Sequence, residues 1–148
     1  MASPAYQPFI KRISTILSAA ASIHHVDFET PAGLTQALSA PVTEFATFYC
    51  DREPIPEWLS NAAKAAQWLE SQPASAGYLG GAYGITHEVV EYGGVKGRAA
   101  VIAIGWTSKE AHMAFRQTET FMENIGLLRG EAKVIEMHHV VVMAALAE

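Results

Sequence analysis

The chain has 148 residues, half of them apolar and 17% charged, with a formal net charge of −5. That length fits one domain with its own core, and the composition excludes a disordered chain. An acidic chain lacks the basic footprint of nucleic-acid binders, and no apolar run reaches the roughly 18 residues of a membrane-spanning helix, so neither nucleic acid nor membrane is an expected partner. The single cysteine, Cys50, excludes an internal disulfide and fits a reducing, cytoplasmic location.

Taken in chain order, Gln7 to Ser22 places Phe9, Ile13, Ile16, Leu17 and Ala20 at helical spacing. Lys11 and Arg12 ahead of Ile16-Leu17-Ser18-Ala19-Ala20-Ala21 loosely imitate a signal peptide. Ser14, Thr15 and Ser18 break the apolar run, so a helix of the fold is the preferred reading. His24 to Phe28 is a short extended segment. Thr30 to Ala40, with Pro31 and Gly33, reads as a connector. Val42 to Cys50 is rich in β-branched and aromatic residues and reads as a strand.

Pro54 and Pro56 punctuate a loop, and Pro56 suits the first turn of a helix. Glu57 to Gln72 then carries Trp58, Ala62, Ala65 and Leu69 on one stripe, and Pro73 stops it. Ser75 to Gly81 reads as a flexible loop. Its Gly77-x-x-Gly80-Gly81 cluster is too weak for a phosphate cradle. Tyr83 to Tyr92 and Arg98 to Trp106 read as two strands of a hairpin around Gly93-Gly94, the second of them fully buried. Ser108 suits an N-cap. One long helix is expected after it, with Ala111, Phe115, Thr118, Phe121, Ile125 and Leu128 on one face, ending at Gly130. Val134 to Met143 is a last strand.

From Val42 onward the order is β-α-β-β-α-β, the ferredoxin-like, α+β pattern. Two helices on one face of a four-stranded sheet leave the other face bare, which predicts a homodimer. Phe9 to Ile13 followed by His24-His25 echoes Phe121 to Ile125 followed by His138-His139. The echo suggests a helix-plus-strand remnant of a second module, placed either to add a strand to the sheet edge or to cap the dimer.

No P-loop, GxGxxG, HExxH or CxxC is present, so no cofactor and no metal is expected. His138 and His139 are adjacent on a strand and point to opposite faces; Met137 shares the His139 face and Glu136 the His138 face. The same alternation lets only one of His87 and Glu88 face the interior. His112 lies early in the helix after Ser108, where the helix dipole disfavours imidazolium and leaves a neutral base. Tyr49 and Tyr83 are candidate phenol donors. Trp106 reads as core or cavity wall, and Cys50 as a buried thiol.

The run Trp106-Thr-Ser108-Lys-Glu110-Ala111-His112-Met-Ala-Phe115-Arg116 resembles the strand-to-helix junction of the dimeric α+β barrel superfamily. That group holds antibiotic-biosynthesis monooxygenases, stress-responsive barrel proteins and polyketide cyclases. Pro41-Val42-Thr43-Glu44 resembles the first strand of its fungal members. The resemblance spans Pro41 to Met143, about two thirds of the chain. It implies an N-terminal helix and connector extension over residues 1–40 and a barrel domain over 41–148.

In the plant polyketide cyclase of this group a histidine in the comparable segment is the base of an aldol cyclisation. The resemblance places that role on His112. The cyclase's second histidine has no counterpart here, and Glu44 stands at its position. The expected catalytic residues are His112, His87 and His139, with Glu44, Tyr49, Tyr83, Trp106 and Phe115 binding substrate. The expected function is a cofactor-independent cyclase, lyase or isomerase of a polyketide-like or other hydrophobic small molecule. A cofactor-free monooxygenase of a phenol, or a non-enzymatic ligand-binding or dimerisation module, are the alternatives.

Overall fold

The computed structural model describes residues 6–18, 23–51, 56–130 and 132–143. The helix expected over 19–22 and the loop at Pro54 lie outside them. In chain order the elements are α1 (Tyr6–Ser14), β1 (Val26–Phe28), α2 (Pro31–Ser39), β2 (Val42–Tyr49) and α3 (Pro56–Glu70). Then follow β3 (Tyr78–Thr86), β4 (Val90–Tyr92), β5 (Val95–Gly97), β6 (Ala99–Trp106), α4 (Lys109–Phe115), α5 (Glu119–Asn124), α6 (Gly126–Arg129) and β7 (Val134–Val140). Among the described residues no helix is long and apolar enough to cross a membrane.

The main sheet runs β1-β3-β6-β2-β7, and every neighbouring pair is antiparallel. The four strands β3-β6-β2-β7 keep the ferredoxin-like order, with the first and third strands of the β-α-β-β-α-β unit, β2 and β6, at their centre. The protein is an α+β fold of that class. β1 adds a fifth strand at the β3 edge, the first of the two placements that the internal echo suggests.

All eight residues of β6 are buried, because helices cover both of its faces. Ala100, Ile102, Ile104 and Trp106 join Trp58, Ala62, Ala65 and Leu69 of α3 in one apolar cluster. Each large side chain buried there contributes about 1.5–3 kcal/mol relative to exposure. Trp58 Nε1 donates to the Leu128 carbonyl at 3.0 Å and Trp68 Nε1 to Thr120 Oγ1 at 3.1 Å. These two bonds tie α6 and α5 to α3, so the helices roof one side of the sheet.

The other side departs from expectation. Residues 31–39 form a helix where a connector is expected. Pro31 sits in the first turn, where its missing N–H costs nothing. Gly33 is there for close approach: a Cβ on it would lie 2.0 Å from the Gly81 carbonyl oxygen. Helix α2 crosses β3 and β6, with Ala37 and Ala40 against Gly105, and Thr43 Oγ1 donates to the Ala37 carbonyl at 2.7 Å.

Two further corrections have local causes. β3 begins at Tyr78, inside the glycine-rich stretch expected to be loop: Gly80 lies beneath α2, where a Cβ would meet Gln36, and the Gly81 carbonyl approaches Gly33. The single helix expected from Ser108 to Gly130 is three. Ser108 caps the first, its Oγ accepting from the Ala111 N–H at 3.0 Å. Thr118, expected on an apolar stripe, instead accepts from the Phe121 N–H and donates to the Phe115 carbonyl, which starts α5 afresh. The strand expected over Tyr83 to Tyr92 breaks after Thr86: β3 pairs with β6 as expected of that hairpin, but the turn at Gly93-Gly94 joins β4 and β5 in a separate two-stranded sheet. Both glycines have the positive φ that its two-residue turn demands.

Candidate functional site

Between the sheet and its helical roof lies a cavity of about 250 Å³. Its walls are mostly apolar and aromatic, with Phe48, Trp68, Trp106, Phe115 and Phe121 among them. Its polar lining consists of Glu44, His112, Arg116 and Arg129. Strand alternation explains the first of these. Glu44, Ala46 and Phe48 share the face of β2 that looks toward α3.

Register supplies the rest. Glu44 pairs with Ile104 of β6 on one side and with His139 of β7 on the other. Trp106 Nε1 donates to Glu44 Oε2 at 3.0 Å, and His112 Nε2 lies 3.3 Å from that same oxygen. The His112 ring stacks on the Trp106 ring, with centroids 4.6 Å apart and 13° between planes. His112 Nδ1 meets His139 Nε2 at 2.7 Å. A continuous chain of polar contacts thus runs Trp106, Glu44, His112, His139. Glu44 Oε1 has no hydrogen-bond partner among the described residues. No buried side-chain N or O there is unpartnered, so this oxygen opens to accessible space.

Burial sets the protonation of the group. It pushes the Glu44 carboxyl up to about 7, against the opposing effects of the Trp106 N–H and the Arg116 charge. It pushes His112 down to about 4, aided by His139 and Arg116. His139 is lowered too, by burial, Lys109 and Arg116. His112 is therefore neutral near pH 7, as expected, but burial is the first cause and the dipole is not. It sits at the fourth position of a seven-residue helix, past the N-terminal turn.

The two shifts have opposite consequences for stability. Glu44 binds its proton more tightly folded than unfolded, so it makes folding less favourable as pH rises from about 4.5 to 7. His112 binds its proton less tightly when folded, so it adds stability as pH rises from about 4 to 6.5. Over the shared window the pair takes up no net proton on folding. Glu44→Gln removes only the falling contribution. The stability of that variant relative to the parent is expected to climb between pH 4.5 and 7. Urea midpoints across that range check this, and a difference that stays flat would show Glu44 to be ionised at both ends.

The other expected site residues lie elsewhere. β3 pairs Tyr78 with Trp106 at one end and Ile85 with Ala100 at the other, and His87 follows the far end. There it is exposed, with Nε2 2.8 Å from an Asp27 carboxylate oxygen. Tyr49 points to the opposite face of the sheet, donates to Glu136 Oε2 at 3.0 Å and stacks on Tyr92. Its hydroxyl is pushed up to about 12 by burial and then by Glu136. Tyr83 lines a separate small cleft beside Ala62 and Leu69 of α3. His138 faces away from the cavity beside Glu136, as alternation requires. Cys50 is buried. Among the described residues no group of three or more His, Cys, Asp or Glu is placed to hold a metal ion. Arg116 and Arg129 carry no role in the sequence reading. The signal for the first is its spacing, four residues after His112.

No family model and no curated protein matches the chain. Three solved structures are similar. SnoaB, titled a cofactor-independent oxygenase from Streptomyces nogalater, is 20% identical over 72% of this chain and 97% of that one, with a TM-score of 0.48. A point mutant of SnoaB is 19% identical over the same shares, with a TM-score of 0.46. A dimeric ferredoxin-like protein of unknown function from Thermobifida fusca is 9% identical over 70% of this chain and 92% of that one, at 0.43. Strand order, and none of these likenesses, carries the fold class.

Proposed function

We propose that the protein is a cofactor-independent enzyme that removes a proton from a hydrophobic small molecule, a cyclase, lyase or isomerase of a polyketide-like metabolite. The observation that supports this is the contact chain Glu44, His112, His139 ending in an apolar cavity. Glu44 is the base. Its carboxyl is raised to about 7, where a general base works best near neutrality, and its Oε1 is open. His112 has both ring nitrogens engaged and a depressed pKa, so it serves as positioning group.

The step balances simply. Glu44 Oε1 takes a proton from a carbon beside a carbonyl. The C–H electron pair becomes the C=C of an enolate, and the carbonyl π pair moves to oxygen. The enolate carbon then attacks a second carbonyl or takes back a proton elsewhere. The proton on Glu44 Oε1 passes to the product's new alkoxide or carbon, which returns Glu44 to its ionised form, while His112 Nε2 and the Trp106 N–H hold Oε2 in place. The test is exchange of the acidic C–H of an anthrone or a 1,3-diketone with deuterium oxide, followed by proton magnetic resonance. Catalysed exchange supports the reading, and exchange at the buffer rate ends it.

The same proposal takes the working form to be a homodimer. The sheet face opposite the cavity is only half covered by α2. The rest is a concavity of about 310 Å³ lined by Val26, Phe28, Phe45, Thr47, Tyr49 and Val101. Pairing two copies there would remove that apolar surface from water. Sedimentation equilibrium is expected to give twice the chain mass, and a monomer at micromolar concentration would remove this part.

A further inference from the structure

Arg116 has no use in the contact chain just described. It follows His112 by four residues. It closes the helical turn, its N–H donating to the His112 carbonyl at 3.0 Å, so the two side chains share one face of the helix. Both line the cavity. Its charge is felt by Glu44, His112 and His139 alike. Yet the Arg116 guanidinium makes no hydrogen bond or ion pair with any described residue. None of its nitrogens is both buried and unpartnered, so the charge is open to the cavity and can take an anion there.

We infer that Arg116 binds the oxygen of a phenolate or enolate, so that the substrate is a flat aromatic or polyketone molecule with an acidic O–H or C–H. The inference rests on the proton-removal reading and names its substrate class. Three features fit it. The walls are aromatic faces suited to a flat body. The guanidinium lines the same cavity as the base and its charge acts on Glu44, so it can stabilise the charge that builds on oxygen once the proton is taken. The anion also meets little competition. The groups facing it are Glu44 from β2, His139 from β7, Lys109 on its own helix and Arg129 from α6. Of these only Glu44 can be negative, and below about pH 7 it is mostly uncharged.

The probe is 4-nitrophenol, whose phenolate absorbs visible light and whose neutral form does not. It is titrated into the full-length protein at a mildly acidic pH, where the free phenol is largely neutral. Binding is followed separately by quenching of tryptophan fluorescence. In the parent protein the bound probe is expected to show the phenolate band. Arg116→Gln is expected to bind the probe and lose the band, and Arg116→Lys to retain much of it. Arg129→Gln removes the same charge from the cavity lining and is expected to keep the band.

A band of equal strength in Arg116→Gln, loss of the band in Arg129→Gln alone, or no saturable binding to the parent overturns the inference. The readout involves no turnover. A parent protein that binds the probe without the band but still catalyses deuterium exchange sinks the arginine and spares the base, and a parent that shows the band without exchange does the reverse.

Discussion

Glu44→Gln is expected to lower catalysed deuterium exchange by about 10²- to 10⁴-fold while the protein stays folded, the range that one positioned general base contributes. Glutamine matches the shape. With its carbonyl oxygen at the Oε2 position it can still accept from the Trp106 N–H and from His112 Nε2–H, and its amide takes the open Oε1 position. No buried polar atom is then orphaned, so the loss belongs to the missing carboxylate. Unchanged circular dichroism and a retained urea transition check the fold. The comparison variant is His112→Ala. If it lost all exchange while Glu44→Gln retained it, the base would be the histidine that the barrel resemblance implies. If both fell, Glu44→Gln by more, the carboxylate is the base and the imidazole its support.

That contrast shows where sequence reasoning stops. The β-α-β-β-α-β order is legible because Val42–Tyr49 and Ala99–Trp106 have strand composition, and because the Trp58, Ala62, Ala65, Leu69 stripe has helical spacing. Helix α2 is not, because Pro31 and Gly33 are loop signals locally. Their reasons are a first-turn position and a 2.0 Å approach to Gly81, and the second is purely tertiary. The break before α5 was readable in principle, since Thr118 is as good a cap as Ser108.

The site divides in the same way. Alternation on β7 separates His139 from His138, and the run through Phe115 marks His112. What alternation cannot give is the register of β2 against β7, which sets Glu44 opposite His139. Nor can it give the burial that makes a carboxyl near neutrality of Glu44 and a weak base of His112. His87 fails for the same reason. Its residue type suits the chemistry, but antiparallel pairing of β3 with β6 carries it to the far end of the strand.

Trp106→Phe tests whether the indole tunes this base. The Trp106 N–H lowers the Glu44 pKa, because a hydrogen bond to the ionised form favours that form. A hydrogen bond to a charged group is worth about 1.5–3 kcal/mol, or about one to two pKa units. Phenylalanine keeps an aromatic ring for His112 to stack on and removes the donor. Glu44 then ionises at higher pH. The rising limb of the exchange rate, with a midpoint expected near pH 7 in the parent, is predicted to move alkaline by that amount. At pH 7 the variant is expected to be slower by about five-fold or more, since a smaller fraction of Glu44 is ionised. At high pH the rate recovers or exceeds the parent's, because the carboxylate is then the stronger base. A purely structural role for Trp106, which is 1% exposed, would lower the rate at every pH alike. A uniformly depressed profile with an unmoved midpoint therefore removes the indole from the mechanism, and a displaced midpoint with a recovered plateau ties it to the charge on Glu44.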